Sequence, residues 1–218
     1  MPSTTDLSIM ADKLRIGIYG GAFNPIHNGH LHLLDTLYRA ETPFGGLDKL
    51  LIIPTANPPH KSAGDLIPAE HRIAMIRLAV RELQYAQNIE ISTIELESRE
   101  KSYTYNTLVK LRALYPQADF VLFIGSDQLF DFQKWYRYRD ILKLAQVSAI
   151  TRREQERRAV ADFLAENQDL AGVHALAAKP VVVSSTQIRQ RVARGESIAD
   201  LVPAAVANYI MEKGLYRG

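Results

Sequence analysis

His27 and His30, three residues apart around Gly29 in the stretch GGAFNPIHNGH (20–30), are the side chains of this 218-residue chain whose type and spacing point most directly to chemistry. At that spacing on a helix both imidazoles share a face, where they can grip an anion, ligate a metal or move a proton. A metal reading needs further ligands, and neither an HExxH arrangement nor a carboxylate triad accompanies the pair. An anion grip needs only a helix start, whose unpaired N–H groups and positive dipole end add to the rings. Gly29 leaves room for a bulky phosphate, Asn28 is a suitable cap for the helix, and Pro25 stiffens the turn. The paired Gly20 and Gly21 allow close backbone approach. These glycines match neither a Walker A loop nor a GxGxxG dinucleotide fingerprint, which disfavours hydride transfer of the usual type.

Three further stretches carry polar side chains in suggestive settings. PTANPPHKS (54–62) is stiffened by consecutive prolines and presents His60 and Lys61. IGSDQLFDFQKWY (124–136) combines Gly125, which permits close backbone approach, with Asp127, an acceptor for ribose hydroxyls or an organiser of water around a cation. It also holds Trp135, suited either to stacking on a planar ring or to core packing, next to Tyr136. VVVSSTQIRQRV (181–192) runs Ser184, Ser185 and Thr186 into a helix; the hydroxyls serve as caps or, with Arg189, as ligands for a polyphosphate. Arg191 and Arg194 read as solvated helix charges, and His32, His71 and His174 as ordinary surface or packed residues.

The elements that must position these groups alternate. Apolar runs expected as strands are 14–19, 49–54, 89–92, 119–125, 146–151 and 180–184. Helical segments are expected at 29–40, 69–83, 104–114, 137–144, 153–167, 185–194 and 202–213. In the second of these Ile73, Ile76, Val80 and Leu83 form the apolar face and Pro68 stands at its start, while Gly214 ends the last helix. Strand–helix alternation predicts an α/β, Rossmann-like doubly wound parallel sheet in a single domain, 14–218, behind a flexible leader, 1–13. Ligands of such sheets lie beyond the carboxyl ends of the strands, so the loops after 19, 54, 125 and 184 are where chemistry is expected.

Composition restricts the classes. Hydrophobic residues make up 47% and charged residues 23% of the chain, ordinary for a folded globular protein. A net charge of +2 is too mild for a nucleic-acid polymer as partner, yet suits small anions met at local basic spots. The absence of cysteine excludes disulfides, thiolate nucleophiles and cysteine-based metal sites, and fits a cytoplasmic setting. Neither a signal peptide nor a membrane-spanning apolar stretch is expected, and homo-oligomerisation is left open.

GGAFNPIHNGH resembles the GGxFxPxHxGH signature of the HxGH nucleotidyltransferases, and VSSTQIR resembles their second signature, ISSTxIR. PPHK, SYTYNTL, GSDQLFDFQKWY and the ending YIMEKGLY are similar to the bacterial nicotinate mononucleotide adenylyltransferases of that superfamily. The resemblance covers about residue 14 to the C-terminus. It implies transfer of AMP from ATP to nicotinate mononucleotide, giving deamido-NAD and pyrophosphate by direct attack on the α-phosphorus, with Mg²⁺ bound alongside ATP and no covalent enzyme intermediate. It further implies that His27 and His30 contact ATP phosphates, His30 stabilising charge at the α-phosphate. Gly20, Gly21, Ala22 and Phe23 would line the nucleotide through backbone, with Gly125 and Asp127 at the ribose and phosphate region. Lys61 and Arg189 would hold phosphates, with Ser185 and Thr186 helping at the β and γ positions. Thr104 and Tyr136 match positions whose N–H groups receive the nicotinate carboxylate, and Trp135 the aromatic that stacks on the pyridine.

Two departures accompany the likeness. Ala22 and Asn24 stand where the signature most often has a hydroxyl residue and an aspartate, and ESREKSYT lacks the usual Gly-Pro, so no role passes to Arg99. Alternatives are a nicotinamide mononucleotide or other adenylyl or cytidylyl transferase of the same fold, and a non-catalytic nucleotide-binding regulator. Trp135 and the SYT loop favour a pyridine ring over phosphopantetheine. Paired N–H donors favour a carboxylate over a carboxamide, which must turn its one oxygen toward them.

Overall fold

The computed structural model of the chain describes residues 13–39, 46–56, 66–97 and 101–217. His60, Lys61 and Arg99 lie outside them, as do residues 1–12 of the expected leader. Six strands, β1 (Arg15–Gly21), β2 (Lys49–Pro54), β3 (Ile89–Ile91), β4 (Asp119–Gly125), β5 (Gln146–Thr151) and β6 (Val173–Ala177), form one sheet in the order β3-β2-β1-β4-β5-β6. Every neighbouring pair is parallel. The chain therefore reverses its direction of growth between β1 and β4, the switch point where such folds hold ligands.

Alternation along each strand feeds two apolar layers. Leu50 and Ile52 of β2 and Phe123 of β4 face α1 (Asn28–Arg39), α2 (Ala69–Val80), α7 (Ser185–Ala193) and α8 (Ala204–Glu212). Leu51, Ile53, Leu122 and Ile124 face α3 (Thr104–Leu114), α5 (Tyr138–Leu144) and α6 (Glu154–Glu166). A short α4 (Ser126–Phe130), not expected from periodicity, follows β4 directly. No helix among the described residues is long and apolar enough to cross a membrane.

One strand differs from expectation. The sixth is Val173–Ala177, in register with β5 from Val147↔Val173 to Thr151↔Ala177, and 180–184 has no regular structure. Pro180 has no N–H for a ladder, and Val182 is 82% exposed, so that apolar run is not a buried strand. The true β6 lies at the sheet edge and pairs on one side only, which a mixed run such as VHALA satisfies. The fourth chemical stretch accordingly follows a seven-residue connection, 178–184, rather than a strand. A second difference lies in α2. Its buried face holds Arg72, Met75, Ile76, Ala79 and Val80, while Ile73 is only half-buried. The reason for burying Arg72 lies in the loop after β1.

Candidate active site

His27 and His30 interlock. The His30 N–H donates to the His27 carbonyl at 2.8 Å and is shared with His27 Nδ1 at 3.4 Å, while the His27 N–H donates to His30 Nδ1 at 3.2 Å. His27 precedes the first residue of α1 and His30 is its third, so the two imidazoles reproduce the reciprocal bonds of a capping box. Asn28, expected as the cap, instead binds elsewhere: its N–H donates to the Leu201 carbonyl and its Nδ2 to the Asp200 carbonyl. A ring nitrogen that accepts cannot carry the proton, so each neutral imidazole has its proton on Nε2 and offers an Nε2–H donor. The rings lie against each other with centroids 3.7 Å apart. Gly29 eases this arrangement, since a Cβ there would stand 3.0 Å from His27 Nδ1 and the ring would have to give way slightly.

The loop before the histidines is held from several elements. Arg72 Nη1 donates to the Ala22 carbonyl at 2.8 Å and its Nε to the Ile67 carbonyl at 3.3 Å, which explains an arginine only 2% exposed. Arg189 Nη1 donates to the Asn24 carbonyl at 2.9 Å, and Ser185 Oγ to the Pro25 carbonyl at 2.8 Å. The three hydroxyls at the start of α7 thus divide their tasks. Ser184 caps the helix by accepting from the Gln187 N–H, Ser185 ties the loop, and Thr186 Oγ1 accepts from Arg189 Nη2.

These groups open onto one cavity of about 640 Å³, a volume suited to a nucleotide. Its lining includes Ala22, Asn24, His27, Gly29, His30, Asp127, Ser185, Thr186 and Arg189. The histidines, the acidic residue after β4 and the start of α7 are therefore brought together. Gly20, Gly21, Phe23 and Gly125 are not in the lining. The Phe23 ring is buried in the core, 5.1 Å from that of His30. Gly125 makes room for its own neighbour, because a Cβ there would collide with the Asp127 carboxylate.

Sequence reasoning passed over three lining residues, Arg152, Lys179 and His32. Arg152 emerges beyond the carboxyl end of β5, an end expected at 151 whose loop drew no chemical reading, and Lys179 beyond that of β6, which the misplaced sixth strand concealed. Glu156 ties two of these loops, accepting from the Arg152 N–H at 2.8 Å and from Ser126 Oγ at 3.3 Å. No cluster of three or more histidine, aspartate or glutamate side chains that could hold a metal occurs among the described residues.

Thr104, Trp135 and Tyr136 lie outside this lining. The Tyr136 ring is 4.9 Å from Tyr103 and 6.0 Å from Tyr105, flanking Thr104 at the start of α3. Trp135 is half-buried against Phe132, with centroids 5.2 Å apart. Tyr103, the residue before α3, makes no side-chain cap bond to the first N–H groups of that helix.

A sequence-family profile described as cytidylyltransferase-like matches residues 18–191. A protein of Enterococcus faecalis named "Probable nicotinate-nucleotide adenylyltransferase" is 36% identical over 94% of this chain and 86% of its own length. The chain belongs to the cytidylyltransferase-like family, among the nicotinate-nucleotide adenylyltransferases. A relative of the same name from Dehalococcoides mccartyi is 35% identical over 94% of this chain and 98% of its own length. The Plasmodium falciparum nicotinic acid mononucleotide adenylyltransferase, solved in complex with NaAD, shares the fold with a TM-score of 0.75. It is 20% identical, with 93% of this chain and 97% of that one covered.

The histidine pair of this adenylyltransferase fold is neutral before any anion arrives. Burial, aided by the Arg152 charge, pushes the His27 pKa down to about 4. Burial, then His27, then Arg152 hold His30 well below the ordinary imidazole value. The unfolded chain therefore takes up protons below about pH 6.5 that the folded chain refuses, and stability falls as pH drops from about 6.5 toward 4. Thermal midpoints of the ligand-free protein, measured across pH 8 to 4, are expected to show that decline. A His27→Gln variant, with one fewer such group, should show a shallower slope; an unchanged slope would contradict the assignment.

Proposed function

We propose that this chain transfers AMP from ATP to nicotinate mononucleotide, giving deamido-NAD and pyrophosphate. The observation that carries the reading is the single cavity shared by the Nε2–H donors of His27 and His30, Asp127 and the α7 residues Ser185, Thr186 and Arg189. A phosphate oxygen of nicotinate mononucleotide attacks the α-phosphorus of ATP, and the bond to the β-phosphate oxygen breaks as pyrophosphate leaves. Such a reaction needs no enzymatic nucleophile. It needs alignment of two anions and stabilisation of charge on the transferring and leaving groups.

His27 and His30 donate to the phosphates, His30 at the α position, while Thr186, Arg189 and Lys61 hold the leaving pyrophosphate. Arg152 and Lys179 add positive charge to the same cavity. Mg²⁺ takes few protein ligands, usually one or two carboxylates, and Asp127 in the cavity lining is the residue that would hold it. Bound there, the ion would supply neutralisation of developing charge on the triphosphate. Thr104 and Tyr136 receive the nicotinate carboxylate, and Trp135 stacks on the pyridine; the uncapped start of α3 supports this reading. The absence of cysteine suits work in the cytoplasm.

The test is turnover of nicotinate and nicotinamide mononucleotides side by side with ATP and Mg²⁺. Deamido-NAD is expected to form with the higher kcat/KM; equal rates, or NAD formed faster, would overturn the assignment. A Trp135→Ala variant is expected to raise KM for nicotinate mononucleotide by about tenfold, in line with one lost stacking contact, and KM for ATP by much less. Equal losses for both substrates would count against stacking.

A further inference from the structure

We propose that Tyr216, next to the end of the described chain, is a positioning residue for the triphosphate cavity, acting through Asn24. The proposal rests on the ATP reading of that cavity. After α8 the chain closes with paired terminal bonds, Leu215 N–H to the Ile210 carbonyl at 3.0 Å and Gly214 N–H to the Met211 carbonyl at 3.2 Å. Gly214, at φ 61°, supplies the left-handed residue this ending requires, and Leu215 drops into the core. Tyr216 then adopts φ 63°, a conformation uncommon for a bulky residue, which persists only where surrounding contacts enforce it.

The contact is specific. The Tyr216 hydroxyl donates to Asn24 Oδ1 at 2.9 Å, and Asn24 is 3% exposed. The carbonyl of the same residue accepts from Arg189 Nη1, and the carbonyl of Ala22 accepts from Arg72 Nη1. Tyr216 and Arg72 are not in the cavity lining, whereas Asn24 and Arg189 are. Burial raises the Tyr216 pKa, and the Arg189 and Arg72 charges act on the phenol in the opposite sense. The hydroxyl therefore remains a donor across the working pH range. Neither Arg72 nor Arg189 joins an ion pair among the described residues. A neutral Asn24, oriented by Tyr216, fixes the loop without supplying a carboxylate that would neutralise Arg189, whose charge stays available to phosphate. The C-terminal turn is in this sense part of the phosphate site.

The test compares the full chain with Tyr216→Phe, Asn24→Ala and the double variant, by steady-state kinetics, thermal midpoint and calorimetric binding of a non-hydrolysable ATP analogue alone. Tyr216→Phe is expected to weaken analogue binding and lower kcat/KM for ATP by about fivefold, the scale of one buried hydrogen bond. KM for nicotinate mononucleotide should stay nearly constant, and the thermal midpoint should fall by only about 2 to 4 °C, the cost of one buried hydrogen bond in a domain of this size. The double variant should be no worse than Asn24→Ala, because both remove the same contact. Unchanged analogue binding, equal losses for both substrates with a midpoint lowered beyond that, or simple addition of the two effects would each overturn the proposal. Failure of the wild type to use nicotinate mononucleotide would instead strike the proposed function, and the analogue-binding arm would still read the role of Tyr216.

Discussion

Replacing His30 with alanine is expected to lower kcat for deamido-NAD formation by about 10² to 10³, the scale on which a single preorganised donor to a developing charge contributes. The ring's Nδ1 is occupied by the His27 N–H, so the Nε2–H is the group it can offer to the α-phosphate. The neutral imidazole needs no proton exchange before it donates, since burial already disfavours the imidazolium. Alanine also leaves the His27 N–H without its ring acceptor, a loss of about 1 kcal/mol typical of a helix cap, so the variant should remain folded. Steady-state kinetics with a parallel thermal midpoint checks both halves. Turnover within about threefold of the wild type would contradict the role given to His30.

Removal of Arg189 is expected to be comparably severe by a different route. Its guanidinium holds the Asn24 carbonyl and Thr186 Oγ1 together while lining the cavity, so Arg189→Ala deletes a charge and loosens the loop that carries the histidines. A loss of about 10²-fold in kcat/KM for ATP follows, given the strength of charge-assisted bonds to phosphate. Arg189→Lys should fall between wild type and alanine, because it keeps the charge and lacks the planar fork that spans two acceptors. If lysine restores full activity, the fork has no role; if it equals alanine, the charge has none.

The parts that sequence reasoning read well share one physical basis. Strands buried on both faces, such as KLLIIP and DFVLFIG, announce themselves as continuous apolar runs, and they place the loops around the switch point. Glycine, proline and hydroxyl residues at the loop–helix junctions after β1 and before α7 mark the two segments that share the cavity in the same way. What escaped was set by tertiary partners. The edge strand VHALA needs no strong apolar signal because it pairs on one side only, and the more apolar PVVVS drew the assignment away. Arg72 falls among polar positions of its helix until the Ala22 carbonyl, fifty residues away in sequence, becomes its partner. The histidine cap was hidden because imidazoles rarely take that place, whereas Asn28 has the composition of a cap and no free geometry for it. Lys179 became visible only with the true end of β6, whereas Arg152, one residue past a strand end that was expected, has no local sequence signal of its own.

The most direct measurement is a crystal structure with a non-hydrolysable ATP analogue and Mg²⁺. The α-phosphate is expected within hydrogen-bond reach of His30 Nε2 and the terminal phosphates against Thr186 and Arg189. A triphosphate bound away from this cavity, or a zinc ion coordinated by His27 and His30 in its place, would contradict it.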